Sequence, residues 1–557
     1  MTFDYESRWY LFNSEEISAI RQNLLDLNSF PVVYIIVDEN KKIAYVGETT
    51  NAVSRMAAHL KHPDKKELKK VLIITSEYLN KSAALDIESN LIQHMSSLGL
   101  QLLNANGGIA NHNYYQKDHY YQLFKKIWTE LELTQVKTKS LLEIQNSDIF
   151  KYSPYKSLTQ DQYSSIVEII DMLAGEKTSS VFVDGSAGTG KTILAVYLMK
   201  LLSGFHRYER DELDFDDEHI LLSLARLKEK YPKGLKLGFV VPMSSLRKTL
   251  KRVFSKVHGL LATMVIGPND LARKEYDLIV VDEAHRLTRR KGLTNYGAHD
   301  QVNRNLGFDK ESTQLDWAMK TSKAQVLFYD SEQSIKPADV RKENFDYYKL
   351  QSKQVKLVSQ LRAKGGKDYL DFVDRLLRCK TLEQKKFNSD EYELYLFDDM
   401  NSLINRLQDK ENDLGLSRLM SGFSWGWVSK NNNRPDAIID GVELTWNKEP
   451  SDWINSTTDV TEMGCIHTVQ GYDLNFAAII FGEEISYDSL HNKILIRKDC
   501  YKDKKGKIAL DDENELYEYI IKIYKTMMYR GIHGTYVYVC DDFLREYLGK
   551  YIKRFPM

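Results

Sequence analysis

Gly185-Ser-Ala-Gly-Thr-Gly-Lys-Thr192 lies between an apolar run, Ser180-Val-Phe-Val-Asp184, and a helix-forming run that begins Ile193-Leu-Ala-Val. Strand, glycine-rich turn and helix in that order build an anion cradle. Gly185, Gly188 and Gly190 let backbone N–H groups curl around a phosphate, Lys191 reaches the terminal oxygens, and Thr192 offers its hydroxyl to Mg²⁺. Further on, Asp277-Leu-Ile-Val-Val-Asp-Glu-Ala-His285 reads as a buried strand ending in two acids. Asp282 suits the metal, and Glu283 suits the activation of an attacking water. The two signatures together imply nucleotide hydrolysis, with ATP and Mg²⁺ as the bound groups.

The N-terminal region carries a different chemistry. Val32-Val-Tyr34 and Tyr45-Val-Gly47 are followed by Arg55 and His59, four residues apart and so on one helix face. Glu88 then sits in Ala84-Leu-Asp-Ile-Glu-Ser-Asn-Leu-Ile92, and Leu103-Asn104 precedes Asn106-Gly-Gly108. This order resembles a GIY-YIG endonuclease domain over residues 30–108, with Val-Val-Tyr in place of Gly-Ile-Tyr in the first motif. The Arg-x-x-x-His helix resembles the restriction-type branch of that family. The resemblance implies metal-dependent phosphodiester cleavage. Glu88 holds one Mg²⁺, Arg55 neutralises the pentavalent phosphate, Tyr34 or His59 takes the proton of the attacking water, and Tyr45 orients it. His62 reads as a surface residue.

Further elements point to a motor. Leu158-Thr-Gln-Asp-Gln162 resembles the segment in which superfamily 1 helicases place a glutamine that reads adenine, here Gln162. Phe328-Tyr-Asp-Ser-Glu-Gln333 resembles their Asp-x-x-Gln sensor of the γ-phosphate, here Asp330 and Gln333. Val358-Ser-Gln-Leu-Arg362 and Thr526-Met-Met-Tyr-Arg530 resemble the two motifs that donate arginines, and Cys465-Ile-His-Thr-Val-Gln-Gly471 resembles the coupling motif. The resemblance runs from about residue 156 to the end and is nearest to bacterial helicase-like proteins related to the Schlafen ATPases. It implies that Arg362 and Arg530 stabilise the transition state. Tyr529 stands where that motif usually has Ser or Thr, and Asp473 where Glu is common.

The elements that must position these groups follow from periodicity. The opening residues read as helix-like. Strands are expected at 32–37, 43–46 and 71–75, with helices from Asn51 and over 82–95. From Leu158, apolar strands at 236–241, 263–266, 278–282 and 325–330 alternate with amphipathic helices, the pattern of a parallel sheet covered on both faces. A second such set begins near Gln354, with strands at 393–397, 422–429, 476–481 and 535–540. The expected class is α/β: a small mixed nuclease domain (1–115), a helical linker (116–156) that packs on the domain after it, and two RecA-like domains (157–350 and 351–557). The acidic stretch 209–218 reads as a solvated insertion.

The chain has 557 residues, 43% hydrophobic and 28% charged, with a net charge of −1, so any nucleic-acid contact must come from local patches. Candidates are Arg247–Arg252, Arg286–Lys291 and Arg497–Lys507 for phosphates, and Trp425, Trp427 and Trp446 for base stacking. No apolar run is long enough to span a membrane, and the opening residues lack signal-peptide features. Four dispersed cysteines fit a reducing cytoplasm and indicate neither a disulfide framework nor a zinc site. The leading expectation is an ATP-driven superfamily 1 DNA translocase fused to a Mg²⁺-dependent GIY-YIG nuclease, serving defence against phage or foreign DNA. A repair nuclease-helicase and a nucleotide-gated switch acting on RNA or protein without cleavage are the alternatives.

Overall fold

The computed structural model describes residues 3–17, 30–105, 114–131, 133, 139–176, 180–207, 218–293, 295–380, 386–430, 432, 434–449, 452–469, 471–503, 506–507 and 513–556. Outside them fall Asn106-Gly-Gly108, most of the acidic stretch (209–217), Gln470 and residues 504–505 of the third basic run. The chain divides into two compact units. One comprises Met1–Thr178, Thr192–Leu237 and Leu250–Val265; the other comprises Ser179–Lys191, Gly238–Thr249 and Ile266–Met557.

In the first unit β1 (Glu6–Leu11), β2 (Val32–Asp38), β3 (Ile43–Thr49), β4 (Lys70–Thr75) and β5 (Gln101–Leu102) form a sheet in the order β1-β4-β2-β3-β5. The central β2 is buried along its length, as its Val/Ile/Tyr run permits when both faces are covered. Its antiparallel register with β3 sets Tyr34 opposite Gly47 and Ile36 opposite Tyr45, so both tyrosines share one face. Helix α1 (Ala52–Lys61) starts where Asn51 accepts the Ser54 N–H, and α2 (Lys81–Met95) where Asn80 accepts that of Ala83.

The N-terminal segment departs from its helix-like reading: residues 6–11 are a strand, paired antiparallel with β4. Ser-Arg-Trp-Tyr-Leu is rich in strand formers and is exposed almost throughout, so it has no apolar helical face to bury. Among the described opening residues, helix is present only at 14–17. The region expected as a linker forms helices at Lys117–Glu130, Leu141–Gln145 and Asp148–Lys151. They pack on the preceding helix α2: the buried His94 ring lies 4.9 Å from Phe124, 5.5 Å from Trp128 and 4.9 Å from Phe150. Helices α3 (Gln160–Ala174) and α4 (Lys191–Gly204) come next in the chain.

The second unit is organised around two largely parallel sheets. The first has the order β11-β6-β10-β9-β7-β8, from β6 (Ser180–Gly185), β7 (Leu237–Val240), β8 (Val265–Ile266), β9 (Tyr276–Val281), β10 (Ser322–Tyr329) and β11 (Lys353–Leu357). β11 pairs with β6, so this sheet reaches past residue 350 to Leu357.

The second sheet is built from β12 (Glu393–Phe397), β13 (Ser417–Ser421), β14 (Ala437–Ile439), β15 (Val442–Trp446), β16 (Glu462–Gly464) and β17 (Leu474–Phe481). A hairpin of β18 (Ile485–Asp488) and β19 (Lys493–Ile496) stands apart, and β20 (Gly531–Val539) and β21 (Lys553–Arg554) complete the sheet in the order β14-β15-β16-β13-β17-β20-β12-β21. Along β17, Ala477, Ile479 and Phe481 enter one core and Phe476, Ala478 and Ile480 the other. That two-sided burial is why the strand reads as an unbroken apolar run. Helices α5 (Gly366–Leu377) and α6 (Glu513–Met528) belong to this half.

The strand expected at 422–429 lies earlier, at 417–421. There Arg418, buried, pairs with Glu411 at 2.8 Å and masks the apolar pattern. Gly422 ends the strand: a Cβ there would lie 2.0 Å from Glu484 Oε1.

Two candidate active sites

In the first unit Tyr34, Tyr45, Arg55, His59 and Glu88 come from β2, β3, α1 and α2. Tyr34 Oη lies 2.8 Å from His59 Nε2, and Arg55 Nε donates to the same oxygen at 3.4 Å. The Tyr45 ring meets that of His59 edge-on at 4.9 Å. Gly47 makes room for this cluster, because a Cβ there would fall 2.2 Å from Tyr34 Oη.

Burial, reinforced by the charges of Lys65, Arg55 and His62, pushes His59 down to about 2. Burial and Tyr45 hold Tyr34 well above the usual phenol range against the pull of Arg55, and the charge of Glu88 is felt at the same oxygen. Near neutrality, then, Tyr34 O–H donates and neutral His59 Nε2 accepts. Glu88 is almost wholly buried on α2. Asn104 clamps β3 by accepting the Val46 N–H (3.1 Å) and donating to Val46 O (2.8 Å).

In the second unit the ends of β6, β9 and β10 converge. Lys191 Nζ donates to Gly185 O (2.7 Å) and Ser186 O (2.9 Å) and lies 3.5 Å from Asp330 Oδ2. Gln333 Nε2 donates to Asp330 (2.6 Å), and Arg530 Nη2 donates to Gln333 Oε1 (3.1 Å). A continuous chain thus joins the glycine-rich loop to the fully buried Arg530. Asp282 is buried, and its backbone N–H donates to Val240 O at 3.0 Å.

Glu283 adopts a left-handed backbone (φ 50°), rare for a residue with a side chain, and its carboxylate lies 2.8 Å from His285 Nε2. Burial opposes its ionisation, but His285, Lys191 and Arg530 together hold the carboxyl below its ordinary range. Gly188 and Gly190 take the left-handed conformations expected of the loop. Gln360, which sequence reasoning did not single out, donates to Ala187 O at 2.8 Å, beside a Leu361 N–H bond to Gly188 O.

Arg362 is ion-paired with Asp473. Tyr529 is spent on the fold, donating to Leu370 O at 2.9 Å. A cavity of about 1110 Å³ opens beside Gly185, Asp330, Gln333 and Lys525.

In the first unit Thr192 is the second residue of α4, and Gln162 sits in the first turn of α3. There Gln162 Oε1 accepts the Thr159 N–H at 3.0 Å. Among the described residues no three His, Cys, Asp or Glu side chains cluster as a metal cage. Single buried carboxylates such as Glu88 and Asp282 fit a hard cation that keeps most of its waters, as Mg²⁺ does.

Folding claims much of two basic runs: Arg286 pairs with Asp339 (2.6 Å), Arg290 with Asp300 (2.7 Å), Arg252 with Asp148 (2.9 Å), and Arg247 donates to Val241 O (2.6 Å). Trp446 is core, and Trp427 is partly exposed. A second-unit cavity of about 380 Å³ is lined by Lys336, Phe423, His467, Tyr501 and Tyr519. Burial and Arg286 push Lys336 down to about 8. No helix among the described residues is long and apolar enough to cross a membrane.

The two folds are those of a GIY-YIG nuclease domain and a helicase-like domain. The GIY-YIG catalytic domain family matches residues 30–101, and the family described as Schlafen group 3, DNA/RNA helicase domain matches residues 178–541. The chain belongs to the Schlafen group 3 helicase-domain family. It is 24% identical over 403 residues to the uncharacterized protein YPL245W of Saccharomyces cerevisiae, covering 66% of this chain and 83% of that protein. Among solved structures it is similar to Pif1 helicases on forked double-stranded DNA (12% identity, 68% of this chain and 92% of that one, TM-score 0.25). It is also similar to the DEAD-box helicase Mss116 bound to ssRNA and UDP-BeF (11%, 73% and 76%, TM-score 0.34).

Proposed function

We propose that this protein is an ATP-driven superfamily 1 DNA translocase carrying a Mg²⁺-dependent GIY-YIG endonuclease that cuts phage or other foreign DNA in the cytoplasm. The nuclease would occupy 1–115, a helical connection 116–156, and the motor 157–350 and 351–557. The observation that carries the motor reading is the chain Lys191–Asp330–Gln333–Arg530, beside which lies the ionised Glu283. Lys191 holds the terminal phosphates, Glu283 takes the proton of the attacking water, and Arg530, with Arg362, meets the charge that develops on the transferred phosphoryl group. Gln162 reads the adenine. The aromatic cavity around Lys336 suits a base with its phosphate, which supports nucleic acid as partner.

In the nuclease, water's proton passes to Tyr34 Oη as the phenolic proton moves to His59 Nε2, a relay for which the 2.8 Å contact is the geometric support. Tyr45 orients the water and Arg55 binds the phosphate. Magnesium, held by Glu88 in the nuclease and by Thr192 and Asp282 in the motor, would supply positive charge to phosphoryl oxygens. The test is cleavage of plasmid DNA by Glu88→Ala protein. Cutting is expected to vanish at every Mg²⁺ concentration while DNA-stimulated ATPase persists. Persistent cutting refutes the metal assignment, and a wild type that cuts no DNA or RNA favours a nucleotide-gated switch.

A further inference from the structure

The loop between α1 and β4 delivers a residue that belongs to none of the motifs. Lys65 is only 3% exposed, and its ammonium lies 3.9 Å from the centroid of the Tyr45 ring. The loop is wound to place it there. Lys65 N–H and Lys66 N–H both donate to His62 O (3.2 and 3.0 Å), and Leu68 N–H donates back to Lys65 O (3.1 Å). Lysine is among the residues least often withdrawn from water, because its charge is costly to bury, and a tyrosine face offsets only part of that cost.

Around the same tyrosines stand Arg55, whose Nε reaches Tyr34 Oη at 3.4 Å, and the Tyr34–His59 pair. The charges of Lys65 and Arg55 both act on His59, so the lysine shares the field of the site. Lys65 and Arg55 thus both bring positive charge to the tyrosine pair, where the nuclease reading places a phosphodiester.

We propose that Lys65 is a second phosphate-binding cation of the nuclease, which holds a non-bridging oxygen of the scissile phosphodiester alongside Arg55. The proposal rests on the nuclease reading above. In the step it serves, the water oxygen bonds to phosphorus and its proton enters the Tyr34–His59 pair. The ester P–O bond breaks with its electron pair on the leaving sugar oxygen, which takes a proton from solvent. Lys65 keeps its own proton throughout and meets the negative charge that grows on the phosphoryl oxygens. A lysine kept only to pack Tyr45 would be replaced by methionine at no cost to cleavage.

The experiment compares full-length wild type, Lys65→Met and Lys65→Arg in single-turnover cleavage of plasmid DNA with Mg²⁺. Loss of a preorganised charge is expected to slow Lys65→Met about 100-fold, with Lys65→Arg recovering most of the rate and with melting temperature and ATPase unchanged. Cleavage by Lys65→Met within about threefold of wild type overturns the proposal. Should Lys65→Met melt early, Lys65→Gln carries the same expectation.

A second arm reads the contact without cleavage: calorimetric binding of thymidine 3′,5′-bisphosphate, with the motor saturated by Mg-ADP. Binding about tenfold weaker in Lys65→Met supports the contact, even if the wild type proves to cut nothing and the nuclease reading falls. Equal binding by wild type and Lys65→Met overturns it.

Discussion

Acidification tests the buried histidine of the nuclease directly. His59 is 4% exposed and pushed from 6.5 down to about 2, chiefly by burial and then by Lys65 and Arg55. The unfolded chain takes up a proton on this side chain below pH 6.5, whereas the folded protein does not until near pH 2. The folded state therefore loses stability as pH falls through that window, and above pH 6.5 this contribution is constant. Each pH unit below 6.5 costs about 1.4 kcal/mol, so a fall from pH 7 to pH 5 costs about 2 kcal/mol from His59 alone. His94, pushed down to about 4 by burial in the same unit, adds a loss of the same sign.

Comparison of wild type with His59→Asn cancels the His94 share. The assay is native-state hydrogen exchange of the β2 and β3 amides at both pH values, corrected for intrinsic rates. Wild type is expected to lose about 2 kcal/mol more protection than the variant. The cleavage rate, in parallel, carries no inflection near pH 6.5, because the proton acceptor is already neutral. Equal losses in the two proteins, or a cleavage limb near pH 6.5 that His59→Asn removes, would refute the reasoning.

Other perturbations address the remaining assignments. Glu283→Gln is expected to abolish ATP turnover while ATP still binds, because only the water-activating carboxylate is lost; retained turnover, measured as phosphate release, argues against that role. Arg530→Ala is expected to slow hydrolysis by a factor on the order of 10³ with ATP affinity little changed, and an equal loss of affinity by equilibrium binding would make it a ground-state ligand. Gly47→Ala is expected to force Tyr34, whose ring is fully buried, out of its place at a cost in packing. The cost is about 1–3 kcal/mol by thermal unfolding, together with most of the cleavage activity.

Much of this architecture was legible because strands buried on both faces announce themselves. β2, β9, β10 and β17 are largely apolar runs, and the residues that could do chemistry sit at or just past strand ends, at Gly185, Asp282 and Asp330, where α/β sheets place their sites. What escaped the sequence escaped for physical reasons. β13 carries a buried arginine whose partner, Glu411, is local in sequence but invisible to a hydrophobicity pattern. β1 is an exposed edge strand: it carries strand formers but no alternation of buried and exposed positions, so its ladder to β4 is what marks it. Lys65 and Gln360 matter through what they approach, Tyr45 and the Ala187 carbonyl, and no spacing rule reports a contact between segments so far apart in the chain.

The two arginines that looked alike in the sequence stand in different surroundings. Arg362 is ion-paired with Asp473, the residue that departs from the usual glutamate, and only its backbone N–H reaches Gln360, which itself braces the glycine-rich loop. Arg530 donates to Gln333 Oε1 and to Tyr472 O, and its charge acts on Glu283. The Gln333 turn is also braced from the helix that ends just before Arg530, since Lys525 on α6 binds both Glu332 (3.1 Å) and Asp374 (2.7 Å). A shift of α6 would move Lys525 and Arg530 together, and with them the turn that carries Gln333. In that geometry the Gln333 turn and the Arg530 guanidinium are linked directly, whereas the Arg362 guanidinium is held by Asp473.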